Sequence, residues 1–392
     1  MTTKHATNTF DTYQTKDIEK ASEIALYYGF KPIARPEIEK EDHKIAAPIK
    51  EAHLDRALSL TTLIEEKIAL LRQYIKHDMR DFQHPVMTSY HSERIADNKI
   101  FRFNLDIIGD SKSISEGLLI KAALSILEED GHTNVTVHIN SLGDRQSFEQ
   151  FEHELAKYCR KNIADLSVDT QQAIRKNIFS VLSHSECEDI RQDAPRPINF
   201  LSEPSRRHFK EVLEYLEHIN VPYEINDFLV DNKHYCNETI FEIRTGETEE
   251  VIASGVRYNS LVKKMGFRRE VPAIGIHLHY KRKRKSIQPK KMHIKRLRDP
   301  KFYFVHLGFE AKLRSLRIID ELRREAIPVR HSITKDKCAG QIASAEKLCL
   351  PYVLIFGIKE AMDNSIIIRD MKTRSQRVVP LHELKVHLKK LT

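Results

Sequence analysis

Apolar positions along this chain keep two different periods, and the switches between them mark its elements. Ile18, Ala21, Ala25 and Tyr28 share one helical stripe, Gly29 stops it, and Pro32 and Pro36 keep the next residues extended. A second helical pattern runs from about residue 54 to 77 through Leu58, Leu63, Ile68, Leu71 and Ile75. Residues 100–109, IFRFNLDIIG, alternate in part and predict a central strand. Residues 113–129 predict an amphipathic helix, with Ser113 as cap, Glu116 as the reciprocal capping carboxylate and Gly131 beyond its end. The β-branched run from Val135 to Ile139 predicts a strand that enters a turn between Asn140 and Asp144.

The middle of the chain loses this clarity. Residues 146–193 are helical, polar and weakly periodic, which predicts a helical insertion instead of core. Periodicity returns with a helix at 209–219 and strands at 223–229, 239–244 and 250–253. From Lys301 onward strands and helices alternate over about ninety residues, as in a small α/β domain with a mixed, largely parallel sheet.

Composition adds the partner class. The 392 residues are 41% hydrophobic and 31% charged, enough for two or three folded domains. Ten Lys/Arg and no Asp/Glu lie between Lys281 and Arg298, so the rest of the chain carries about −2 of the formal +8. One such patch on a near-neutral globule is the footprint of a polyanion, RNA before a membrane. The polar stretch from Met1 to Asp17 lacks the apolar core of a secretory signal. Five cysteines without a C-x-x-C pair predict a reducing, cytoplasmic setting. There is no P-loop, G-x-G-x-x-G, G-x-S-x-G or H-E-x-x-H, and the His277-Leu278-His279 triple lacks further ligands at metal spacing, so no metal is expected.

Several segments, in one shared order over most of the chain, resemble histidyl-tRNA synthetase, a class II aminoacyl-tRNA synthetase. The run from Tyr27 to Pro36 looks like the class motif 1 helix and strand, and Phe103-Asn-Leu-Asp106-Ile-Ile-Gly109 resembles the second strand of motif 2. Thr239-Ile-Phe-Glu242 is similar to the strand after the histidine-binding loop, and Ala253-Ser-Gly-Val-Arg257-Tyr258-Asn-Ser-Leu261 to the glycine-rich G-G-R-Y-D-x-L segment. Residues 271–275 lead into motif 3, which puts Arg282 at the ATP-contacting arginine; Arg282 is equally the second residue of the basic run.

The resemblance implies an α+β core, a mostly antiparallel sheet flanked by helices, over residues 1–280 with an insertion at about 146–193. A basic linker, 281–298, and an anticodon-binding-like α/β domain, 299–392, would follow. It also implies a homodimer built between Ile24 and Ile38. Asp106, Tyr235, Arg257 and Arg282 are then vestigial catalytic candidates, and Asp231, Lys233, Cys236, Glu242 and Tyr258 pocket candidates. Lys281, Arg282, Lys283, Arg284, Lys285, Lys290, Lys291, Lys295, Arg296 and Arg298 are expected to contact RNA phosphates.

The departures from the family point to a degenerate site. The family's Arg-Gly-Leu-Asp-Tyr-Tyr loop stands here as Asp231-Asn-Lys233-His-Tyr235-Cys236, which reverses the charge at its arginine. No F-R-x-E occurs near Thr88, where the motif 2 arginine belongs, and the L-R-P-E-x-T segment has no counterpart. Ser254, Val256 and His279 replace glycines. The sequence therefore predicts a tRNA- or RNA-binding pseudoenzyme. Its alternatives are an active histidine–tRNA ligase, with ATP and Mg as its requirements, and a regulatory subunit similar to that of ATP phosphoribosyltransferase.

Overall fold

The computed structural model describes residues 20–51, 64–76, 85–91, 100–231, 235–281 and 300–391. Lys233 and the basic residues from Arg282 to Arg298 lie outside the described residues. The first part of the chain forms α1 (Lys20–Tyr27), β1 (Lys31–Pro32), α2 (Lys40–Glu51), α3 (Ile64–Lys76), β2 (Val86–His91), β3 (Ile100–Ile108), α4 (Ile114–Glu129) and β4 (Val135–Ser141). It continues through α5 (Arg145–Asn162), α6 (Val168–Lys176), α7 (Glu188–Gln192), α8 (Glu203–His218), β5 (Tyr223–Ile225), β6 (Thr239–Thr245), β7 (Val251–Arg257), α9 (Leu261–Lys264) and β8 (Ala273–Lys281).

Eight strands make one sheet in the order β1-β2-β3-β8-β7-β6-β4-β5. Only the outermost pairs, β1 with β2 and β4 with β5, run parallel; the inner pairings are antiparallel, as the sequence predicts. Alternation along β3 divides the two faces. Phe103, Leu105 and Ile107 point to a layer formed by α1, α4 and α8, where they join Leu118, Leu119, Leu216, Ile274 and Ile276 in one apolar cluster. Each such side chain contributes about 1.5–3 kcal/mol by leaving water. Asn104 and Asp106 point the other way and are equally buried.

Two local expectations are corrected. Ser113 makes no capping bond; its hydroxyl donates to Glu211 (2.5 Å), and Glu116 turns inward to Arg257. A charged guanidinium outcompetes a neutral backbone amide for the carboxylate. The helical stretch at 146–193 exists as α5 to α7, but it is not detached from core. Phe148, Phe151, Leu155 and Cys159 make a stripe at helical spacing, joining the cluster that holds Ile68, Leu71, Val256 and Tyr258.

The second sheet comprises β9 (Phe302–His306), α10 (Phe309–Arg324), β10 (Val329–His331), α11 (Cys338–Lys347), β11 (Tyr352–Phe356), α12 (Ile358–Met362), β12 (Ser365–Asp370), β13 (Gln376–Pro380) and α13 (Leu381–Leu391). Its order is β10-β9-β11-β12-β13. The first two pairings are parallel and the last two antiparallel, so the sheet is mixed without being largely parallel. The connections after β11 are too short for a crossover.

Helix α10 lies directly on the first part of the chain. One apolar cluster runs from Leu118 and Ile126 through Leu313, Leu316 and Ile319 to Phe304 and Phe356. Asp320 is the polar centre of this seam: Tyr28 donates to it (2.8 Å), and Lys121 (2.8 Å), Arg323 and Arg324 pair with it. Burial would raise its carboxyl, but Lys121 and its companions hold it below the usual range. Ile24, Ala25, Tyr28 and Phe30 are buried within this same chain, while Lys31 to Ile38 include exposed positions beside the edge strand β1.

Candidate ligand pocket on the polar face of the sheet

Register puts the polar residues in rows across the sheet. Thr88, Asp106, Gly275 and Val256 stand side by side on β2, β3, β8 and β7, and Tyr90, Asn104, His277 and Ser254 form the next row. Helix α3 covers this face and sends Lys67 into it. Lys67 Nζ lies 2.6 Å from Asp106 Oδ1, and the Tyr258 hydroxyl donates to the same oxygen at 2.7 Å. The ammonium also sits 5.6 Å from the centre of the Tyr258 ring. Lys67 and Asp106 are 5% and 0% exposed at their side chains, so this is a buried ion pair. A side chain at Gly275 would overlap Asp106 and place its Cβ 2.7 Å from Lys67 Nζ. Asp106 Oδ2 and Thr88 Oγ1 are buried without a hydrogen-bond partner among the described residues.

The electrostatics follow from burial. His277 Nδ1 lies 3.0 Å from Asn104 Oδ1, and burial, aided by the Lys67 charge, pushes its ring down to about 3. His279 stacks on it with ring centres 6.0 Å apart and is lowered by burial and by Arg102. Burial pushes Tyr90 and Tyr258 well above the usual phenol range, and the Asp106 charge adds to both. Glu66 is raised by burial against the opposing pull of Arg35, whose guanidinium lies 2.8 Å away.

The sequence-derived candidates divide between the two faces. Asp106 and Tyr258 meet on the polar face through their 2.7 Å hydrogen bond. Burial lifts the Tyr235 hydroxyl, and Cys236, Asp231 and Tyr258 add to the shift. Glu242 pairs with Arg244 at 2.9 Å, opposite Ser254.

Arg257 projects behind the sheet. Its Nε and Nη2 donate to the two Glu116 oxygens at 2.8 and 2.6 Å, and Nη1 and Nη2 reach the carbonyls of Asp110 and Lys112. His208 Nε2–H also donates to Glu116 (2.8 Å). Burial would raise the Glu116 carboxyl, but Arg257 and His208 outweigh it and leave it at about 2. Lys281 is described at the exposed end of β8, while Arg282, Lys233 and the other basic residues through Arg298 lie outside the described residues. Sequence reasoning missed Lys67. Its signal was position: Ile64, Lys67, Ile68 and Leu71 fall on one stripe of α3, so the lysine stands where an apolar residue belongs.

Comparison with known proteins gives this architecture its relatives. The histidine–tRNA ligase of Fervidobacterium nodosum is 26% identical over 379 residues, covering 91% of this chain and 90% of that protein. That of Bacillus subtilis is 28% identical and covers 86% and 78%. An anticodon-binding domain model matches residues 301–391. The chain is similar to histidyl-tRNA synthetases along most of its length. The apo histidyl-tRNA synthetase structure from S. aureus shares the fold, with a TM-score of 0.50 at 21% identity over 94% of this chain and 93% of that one. Identity to the synthetases compared runs from 24 to 29%.

Proposed function

We propose that this chain is a synthetase-like RNA-binding protein whose pocket does not activate histidine. The observation that carries the reading is the buried Lys67–Asp106 pair, which puts a side chain of the protein itself on the pocket floor. Amino-acid activation brings a carboxylate and an α-phosphate together, so its transition state needs fixed cations. Asp231 stands where the resemblance calls for arginine, and its charge acts on the buried Tyr235 hydroxyl. Two unit charges about 4 Å apart interact by roughly 4 kcal/mol at an effective dielectric of 20. Exchanging attraction for repulsion on that scale slows a reaction on the order of a thousandfold or more.

The test is histidine-dependent ATP–pyrophosphate exchange in the native chain and in Asp231→Arg and Lys233→Ala variants. No exchange above background is expected. Turnover near that of an ordinary synthetase, abolished by Lys233→Ala, would overturn the reading and show that Lys233 supplies the missing cation.

A domain matched by an anticodon-binding model and the basic run support tRNA or other structured RNA as the partner. Neutralising several residues between Lys281 and Arg298 is expected to weaken binding and flatten its salt dependence. A homodimer built between Ile24 and Ile38 and a cytoplasmic setting belong to the same reading; light scattering that gives a monomer would remove the dimer.

The second reading is an active histidine–tRNA ligase, which uses ATP and Mg. It is favoured by relatives of that name over nine-tenths of the chain. The regulatory-subunit reading predicts no anticodon-type domain, and the match at 301–391 counts against it.

A further inference from the structure

Lysine is an unusual residue to bury on the apolar stripe of a helix, and the surroundings of Lys67 are what a bound ammonium ion requires. A carboxylate meets its Nζ at 2.6 Å, an aromatic ring faces it at 5.6 Å, and a glycine leaves room that any Cβ would fill. The carboxylate is oriented by the Tyr258 hydroxyl, and its second oxygen has no partner among the described residues, so the site has more acceptor capacity than Lys67 uses. Lys67 is also the only protein cation bonded to Asp106 among the described residues.

We propose that Asp106, Tyr258 and the bare backbone at Gly275 form a primary-ammonium site, and that the chain fills it with the head of its own Lys67. Resting on the reading that the pocket no longer activates histidine, this assignment names the chemistry that occupies it. Lys67 is an internal competitor for ligands bearing a primary amine. Such a ligand enters only where the Lys67 head is displaced or absent.

Cutting Lys67 back to alanine removes three methylenes and an ammonium, the atoms of n-propylammonium. The full-length Lys67→Ala chain is expected to melt below the native one. n-Propylammonium chloride at ten times its Kd is expected to raise that midpoint by roughly 2 °C. The native chain should show no such shift, 1-propanol should not reproduce it, and adding Asp106→Asn should abolish it. Equal rescue by 1-propanol would make the space a mere apolar cavity, and absence of rescue would leave no ammonium site; either result overturns the proposal.

If the alanine variant does not fold, Lys67→Met keeps the volume and removes the charge. The His277 ring should then titrate higher than in the native chain, as followed by NMR. An unchanged His277 would place the ammonium elsewhere and sink the assignment. Histidine-dependent exchange by the native chain would overturn the functional reading alone, because the rescue experiment reads the site without catalysis.

Discussion

Arg257 with Glu116 and Lys67 with Asp106 are both buried ion pairs, one on each side of the same sheet, and they are finished to different degrees. Behind the sheet, the Arg257 guanidinium spends its donors on both Glu116 oxygens and on two backbone carbonyls, and Glu116 also accepts from His208 and Thr239. In front, among the described residues, Lys67 makes one hydrogen bond, and an oxygen of Asp106 and the Thr88 hydroxyl have none. Desolvating a charge is costly, and only a saturated set of partners offsets it. The rear pair is therefore a clasp between α4, α8 and β7, while the front pair has the unspent valence of a binding site. Both involve residues that a synthetase resemblance alone would label catalytic.

The largest effect expected comes from breaking the clasp. Glu116→Gln leaves Arg257 buried beside a neutral amide and should cost about 3–5 kcal/mol in chemical denaturation. A smaller loss would mean that water reaches Arg257. Gly275→Ala forces a methyl group into Asp106 and Lys67, and should cost about 1–3 kcal/mol. An unchanged midpoint would show that α3 can withdraw from the sheet. A double-mutant cycle with Lys67→Met and Asp106→Asn should return a coupling of about 1–2 kcal/mol. The doubly substituted chain should lie near native stability, and a coupling as large as that of Arg257 with Glu116 would erase the distinction.

Acidification separates the two faces by window. His277 is held neutral at about 3 in the fold, so the unfolded chain, titrating near 6.5, binds the extra proton between those values. Stability therefore falls as pH drops through that range, by up to about 1.4 kcal/mol per pH unit. Glu116, depressed to about 2, contributes stability that is present above the unfolded value near 4.3 and is lost as pH falls towards 2. Replacing His277 with Asn should lessen the slope in the upper window, to which the lowered His306 and His331 also contribute, and leave the lower one; a slope unchanged between about 4.5 and 6.5 would show that His277 is charged in the fold.

What the chain shows as a sequence is its strand alternation. Phe103, Leu105 and Ile107 announce one covered face, and the order of the family segments announces the antiparallel sheet. Charged residues between Phe148, Phe151, Leu155 and Cys159 mask the apolar stripe that joins the insertion to the core. At Glu116 a capping pattern and an inward carboxylate look identical until Arg257 arrives from 141 residues away. Lys67 and Asp106 are 39 residues apart, and nothing local joins them except a charge on an apolar stripe. Tertiary partners decided each of these cases, and local propensity cannot see them.

The seam around Asp320 bears on what holds this protein in one piece. Tyr28 and Lys121 tie α10 to the body of the chain through Asp320, Arg324 of α10 pairs with Glu128, and Leu316 and Ile319 continue the same interior across the boundary. Covalent continuity through residues 282–299 is then only one of two attachments. A chain nicked there by a protease should travel through gel filtration as a single noncovalent particle, and its two fragments, separated in denaturant, should find each other again on dilution.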